Sequence, residues 1–476
     1  MSRWLLLFLI FAVAAASLFV ACNGDDDDDN DAADDDTADD DTADDDTADD
    51  DLPDVDPYCS GEPDEALDGL TAPVGGLCAD EDVPVVAACP VRVNESSDND
   101  EQPYFLGETC HGRVVAFWKR DNYDCGEKSA KALTNLSSAM RRFDASEAAP
   151  IDHERELDEQ AGDVGLALAD RFVNAFVYVV EGGAKDHTGV AVQVFRHDGK
   201  RVGEWRQLDA DDEFRRPESL SLTPIGTEFF FSWYAAPSGG GDGKIYARRF
   251  GTDGEPVGDQ VELPFLDASV YWATRGDKIL AVTNATEGVE TKALSKGMYA
   301  YLLNGDLELV AGPTLLEDGE EYSHRPTFVE WTGDDEFRVV EIVSRDEGYD
   351  IAARLYHADG TPNGDEAVLV AQPDAIFFPR VVSDPDGGLT VVWANGVEDA
   401  RCVQFQARSF AADFTPTGDA KTLLYSDSYN QSRYSAARLS NGRLALAFGA
   451  FDGAEQCPLD TYLQLFDEAN EAVCLK

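Results

Sequence analysis

Arg216, Arg325, Arg380 and Arg433 each stand at the opening of an apolar run. A guanidinium keeps its charge at any ordinary pH and presents a planar fork of donors, so several of them converging would grip a carboxylate at two points. The chain carries 37 Lys plus Arg against 94 Asp plus Glu, a net charge of -57. On that background a group of arginines suits an acidic sugar or another carboxylate ligand. The plainer alternative is that each arginine is matched by a neighbouring Asp or Glu. A second set, Asp253, Asp359, Asp384, Asp386 and Asp413, falls in turns. Carboxylates there would suit calcium, a hard cation, yet Asp in a hairpin also accepts nearby backbone N–H groups and needs no ion to do so.

Other chemical signatures are missing from the sequence. The 6 His (His111, His153, His187, His197, His324 and His357) include no His-x-x-x-His pair, and His197 and His357 fall in polar turns where exposure is expected. There is no Gly-x-Ser-x-Gly elbow, and Gly239-Gly240-Gly241-Asp242-Gly243 lacks the Lys-Ser/Thr of a phosphate loop. No catalytic residue, metal centre or cofactor is therefore assigned, calcium being the one cation the composition would suit. So negative a chain would be repelled by a phosphate backbone, so nucleic acid is not an expected partner. With 43% hydrophobic residues there is ample material for a core, which excludes global disorder.

Of the 9 Cys, Cys22 stands apart from the rest. The others are Cys59, Cys78, Cys89, Cys110, Cys125, Cys402, Cys457 and Cys474. Their even number reads as disulfides if the chain is exported, and no Cys-x-x-Cys spacing points to zinc or redox chemistry. Cys110 and Cys125 flank one apolar run and can close locally.

Export is written at the N-terminus. Arg3 gives a positive start, Trp4 to Ala21 is a run of apolar and small residues, and the chain turns polar directly after Cys22. The stretch Leu18-Phe19-Val20-Ala21-Cys22 resembles a bacterial lipobox, with Phe19 where Leu is usual. That resemblance implies cleavage before Cys22, acyl chains including palmitate on its thiol and new amine, and stable anchoring to a membrane. An uncleaved membrane-spanning helix is the alternative. Residues 1–21 are thus expected to be a signal peptide. Residues 22–56 follow as an acidic tether, with 18 Asp between Asp25 and Asp51 whose mutual repulsion holds the chain open and disordered. The expected location is the bacterial cell envelope, outside the cytoplasm, with the outer membrane or cell surface favoured by Asn23 after the lipid site.

The elements that must position the arginines come from a repeat. Lys244-Ile245-Tyr246-Ala247-Arg248-Arg249-Phe250 followed by Asp253-Gly254 returns at Ile351-Ala352-Ala353-Arg354-Leu355-Tyr356 followed by Asp359-Gly360, and again at Phe405-Gln406-Ala407-Arg408-Ser409-Phe410. The copies close at Phe143, Phe195, Phe250, Leu303, Tyr356, Phe410 and Phe466, 52 to 56 residues apart. Each holds a first strand opened by Pro or a polar residue, an apolar second strand such as Phe229-Phe230-Phe231-Ser232-Trp233, the phrase itself as third strand, an Asp-Gly turn and a short fourth strand. β-branched and aromatic residues favour strands, and runs apolar on both faces must be covered on both sides. Four antiparallel strands in about 50 residues is the unit of a β-propeller. Residues 102–476 therefore resemble a seven-bladed β-propeller like those of secreted bacterial propeller-repeat proteins, an all-β fold preceded by a Cys-containing extension over 57–101. A stack of β-sandwich modules is the alternative.

That resemblance sharpens the remaining pairings. Cys402 and Cys457 fall in the same loop of adjacent blades, where a bridge is reasonable. Cys59, Cys78, Cys89 and Cys474 then allow three pairings, of which Cys89–Cys474 would latch the ring and leave Cys59 with Cys78. The arginines, near the starts of first strands, would ring one mouth of the central channel. Sialidases also place several arginines on a propeller, but the Phe/Tyr-Arg-Ile-Pro signature is absent, and Ser383-Asp384-Pro385-Asp386-Gly387-Gly388 has its second Asp one place late for an Asp box. The expected function is a binding or interaction module for a protein or glycan, expected as a monomer. A polysaccharide hydrolase or lyase, sialidase-like, is the first alternative and a structural envelope protein the second.

Overall fold

The computed structural model describes residues 88–474 apart from 96–99, 122–135, 159–161, 169, 180–187, 209–213, 238–242, 266–268, 286–296, 320–323, 346–347, 373–376, 397–401, 427–433 and 452–458. Cys22, the acidic tract, Cys59, Cys78, Cys125 and Cys457 fall outside the described residues. No helix among the described residues is long and apolar enough to cross a membrane.

After β1 (Val91–Arg92), strands follow in antiparallel groups of four, each paired in chain order. The first blade is β2 (Asp100–Thr109), β3 (Arg113–Asp121), β4 (Leu136–Asp144) and β5 (Arg155–Asp158). The second is β6 (Gly162–Leu168), β7 (Arg171–Val179), β8 (Thr188–Arg196) and β9 (Arg201–Leu208). The third is β10 (Phe214–Ile225), β11 (Glu228–Pro237), β12 (Lys244–Phe250) and β13 (Pro256–Leu263). The fourth is β14 (Val270–Arg275), β15 (Lys278–Ala285), β16 (Gly297–Leu303) and β17 (Leu309–Asp318). The fifth is β18 (His324–Trp331), β19 (Glu336–Arg345), β20 (Gly348–His357) and β21 (Ala367–Gln372). The sixth is β22 (Phe377–Ser383), β23 (Leu389–Gly396), β24 (Val403–Phe410) and β25 (Lys421–Ser426). The seventh has β26 (Tyr434–Arg438), β27 (Leu444–Phe451) and β28 (Leu459–Phe466), with β29 (Ala472–Val473) on the outer edge of β28.

The seven residues that close the repeat phrase all lie on third strands, and each faces an apolar partner on the second. The pairs are Val114 with Phe143, Phe172 with Phe195, Phe229 with Phe250, Ile279 with Leu303, Phe337 with Tyr356, Leu389 with Phe410, and Leu444 with Phe466. All seven closing residues are buried. First strands touch in succession, β2 to β6, β6 to β10, β10 to β14, β14 to β18, β18 to β22 and β22 to β26, and β26 touches β2 again. That cycle makes the chain a closed seven-bladed β-propeller with the first strands innermost. An apolar cluster fills each seam between neighbouring blades. This is why the strands read as apolar on both faces: each sheet covers the next.

Ring closure is shared by both chain ends. Val91 and Arg92 pair with Leu463 and Tyr462, while Val473 and Ala472 pair with Leu465 and Phe466. Together β1 and β29 complete the outer edge of the last blade. Cys89 and Cys474 join them as a disulfide, with Cα atoms 5.5 Å apart. The Gln464 side chain spans the joint, accepting from Cys89 N at 2.8 Å and donating to Val473 O at 3.1 Å. The latch inferred from the repeat is therefore present. Cys110 and Cys402 are also in disulfides, with partners outside the described residues.

Candidate functional site

The sequence-assigned arginines lie in or directly before first strands, on blades three, five, six and seven, Arg380 in the middle of its strand rather than at the start. Arg216 lies in β10 opposite Ala236, and Arg433 directly precedes β26; both side chains fall outside the described residues. Arg325, in β18, is exposed, with its guanidinium 5.7 Å from the centre of the Tyr349 ring. Arg380, in β22, is exposed too, lies 5.4 Å from the centre of the Tyr434 ring and donates Nε–H to Tyr434 O at 3.1 Å. Stacking on a ring fixes the plane of the donor fork. Tyr434 is itself buried and donates its hydroxyl to Val392 O at 3.2 Å, and burial pushes its phenol well above the usual range.

The turn aspartates resolve into hairpin chemistry. Asp253, Asp359 and Asp413 accept the N–H of Glu255, Thr361 and Thr415, and Asp386 accepts that of Gly388. Asp384 does something else. It takes Arg438 of the next blade at 2.6 Å and the Thr390 hydroxyl at 3.0 Å, so this near-Asp-box ties blade six to blade seven. Arg338 acts similarly one blade earlier: it pairs with Glu330 and donates to Gly387 O and Gly388 O, each at 2.9 Å. Many arginines therefore belong to the repeat's own cross-blade ties. His357 is exposed as expected, whereas His197 is half-buried because its turn packs against the first blade, where Arg142 donates to its carbonyl at 2.7 Å.

Two ionisable groupings escaped sequence reasoning. The first lies in the seam between blades four and five. Its core is apolar, built from Met298, Leu316, Trp331 and Phe337 among others. Polar groups take over beside it. Tyr356 donates its hydroxyl to Glu317 at 2.8 Å, and Arg354 pairs with the same carboxylate. Beyond them His324 Nδ1 lies 2.8 Å from Glu341 Oε2, and Arg345 pairs with Glu366 and with Asp350 at 3.1 Å. The His324 imidazole is raised above its ordinary range, first by the Glu341 hydrogen bond, against the pull of its burial, and then by the charges of Glu341, Glu317 and Glu366. Burial pushes Glu341 upward as well. His324 sits next in sequence to Arg325.

The second grouping lies where the ring closes. Glu101 of β2 is fully buried, takes Arg120 Nε at 3.2 Å, and leaves Oε2 without a partner. Burial pushes its carboxyl up to about 8, against the pull of Arg120 and with the added push of Asp460. Asp460 in turn accepts from Asn94 at 2.7 Å and pairs with Arg92 at 3.5 Å, tying the incoming end of the chain to β28. No single short motif marks either grouping, because the members meet only through strand pairing and blade packing.

No family model and no curated protein matches this chain. Among solved structures, it is similar to a protein of unknown function from Dyadobacter fermentans at 12% identity over 79% of this chain and 97% of that one, with a TM-score of 0.45. It is similar to the polysaccharide lyase Uly1 at 10% identity over 82% and 94% of the two chains, TM-score 0.44. A mutant of the NanB sialidase from Streptococcus pneumoniae aligns at 10% identity over 82% and 72%, TM-score 0.41.

Proposed function

We propose that this chain is a lipid-anchored propeller outside the cytoplasm, whose first-strand mouth binds a protein or glycan bearing carboxylates. The observation that carries this is the pair Arg325 and Arg380: exposed, on adjacent blades, each set over an aromatic ring. A rigid ring holding oriented guanidinium groups loses little freedom when a ligand docks. Cys22 supplies the anchor and the acidic tether the reach. The test is a glycan array and a partner capture with the full chain in detergent, repeated with Arg325→Gln and Arg380→Gln. The expected result is retention of acidic glycans or acidic segments that either substitution weakens by about tenfold, about 1.4 kcal/mol. Unchanged retention in both variants removes the arginine mouth as the site. Palmitate labelling that persists in Cys22→Ser removes the lipid anchor.

The second reading, a polysaccharide hydrolase or lyase, is favoured by the His324–Glu341 pair at the start of a first strand. A proton donor–acceptor pair with shifted titration is what acid–base cleavage needs. Incubation of the same preparation with polyuronates and sialylated glycans separates the two. Product release lost in His324→Gln establishes the enzyme; retention without cleavage leaves the binding module.

A further inference from the structure

We infer that His324, Glu341 and Glu366 form a site for a divalent transition metal of the zinc class, set into the blade-four to blade-five seam. The three come from the start of β18, the middle of β19 and the residue ahead of β21, and one ligand atom of each lies within 4.8 Å of the others. An imidazole nitrogen with two carboxylate oxygens is a mixed donor set. Zinc accepts such sets in a tetrahedron, with the fourth position left to water, whereas calcium and magnesium take six or more oxygens. Zinc–ligand bonds of about 2.0–2.2 Å place ligands roughly 3.4 Å apart, so the more distant ligand atoms close inward by about an ångström while the short His324–Glu341 contact opens slightly. Glu366, half-buried just ahead of its strand, can make that movement.

Glu341 is 1% exposed, and His324 is its hydrogen-bond partner at Oε2. A carboxylate this buried is costly to keep charged unless positive charge compensates it. Once the metal displaces the imidazole proton, two carboxylates, one neutral imidazole and one divalent ion sum to zero charge. The surrounding groups are already committed: Arg345 to Glu366 and Asp350, and Glu317 to Arg354 and Tyr356. Those outer partners hold the ligand carboxylates and their neighbours in place, as outer shells of metal sites do. This inference does not depend on the ligand bound at the arginine mouth.

The test uses the full oxidised chain, stripped of metal and titrated with Zn2+ in the presence of excess Ca2+. The calcium matters because the acidic tract offers many oxygen-only contacts that it would saturate. The expected result is one calcium-resistant equivalent of Zn2+, weakened by at least about tenfold in His324→Gln and in Glu366→Gln. Substituting Co2+ should give a visible d–d spectrum that disappears in His324→Gln. Unfolding curves without metal establish that each variant keeps its fold, and Glu366→Gln, the less buried change, decides if His324→Gln does not. Absence of a calcium-resistant equivalent overturns the site. So does equal affinity in the native chain and a folded variant.

Discussion

Leu307 and Phe414 show how single residues keep the repeat while hiding it. Four places after the closing residue the backbone is left-handed, with φ of 78°, 79° and 84° at Gly199, Gly254 and Gly360. At Leu307 and Phe414 the same conformation, at 66° and 65°, is taken by large side chains. The strain is about 1–2 kcal/mol. Both side chains are buried in seams, which returns roughly 1.5–3 kcal/mol. The sequence therefore displays the Asp-Gly turn in some copies and disguises it in others. Glu101 makes the residue-scale prediction. Its folded carboxyl holds a proton, up to about 8, that the unfolded chain gives up near 4.5. The folded state thus binds more protons between those values, and stability falls as pH rises across that window. Glu101→Gln removes the loss, on the order of a few kcal/mol at most. Melting temperatures of native and variant protein at pH 5 and pH 8 check it: the native chain should lose more on going to pH 8. Equal losses contradict the buried, proton-holding carboxyl.

At the scale of elements, most strands were legible because their composition and spacing repeat, and all seven phrase-closing residues fell on third strands. The outer edge of the last blade was half legible. Cys89 and the short Val91–Arg92 strand suggested a latch, but its register on Leu463 and Tyr462 depends on contacts 370 residues away in chain terms, roughly the whole ring. His324, Glu341 and Glu366 were not legible at all, since three strands and their pairing bring them together. The arginines were legible as a set by position, though their aromatic platforms were not. The latch makes a prediction of its own. Cys89 and Cys474 are 385 residues apart, and opening so long a loop frees much unfolded-state entropy. Cys89→Ser with Cys474→Ser should cost on the order of 5 kcal/mol in denaturant unfolding. A loss below about 1 kcal/mol contradicts a ring held mainly at this joint.

For the whole molecule, closure is what gives every other feature its place. The first strands touch around a cycle, so the exposed Arg325 and Arg380 stand on neighbouring first strands. The net charge of -57 makes copies of the chain repel one another. Cross-blade ties such as Arg249 with Asp306 at 2.6 Å and Arg275 with Asp334 at 2.8 Å stiffen the rim, though exposed pairs like these contribute little individually. The most direct test is peptide mapping of the full chain without reduction. Closure predicts one cross-linked pair joining the peptide that contains Cys89 to the C-terminal peptide that contains Cys474. Cys89 linked instead to Cys59 or Cys78, with Cys474 free or joined elsewhere, would contradict a ring sealed by both chain ends.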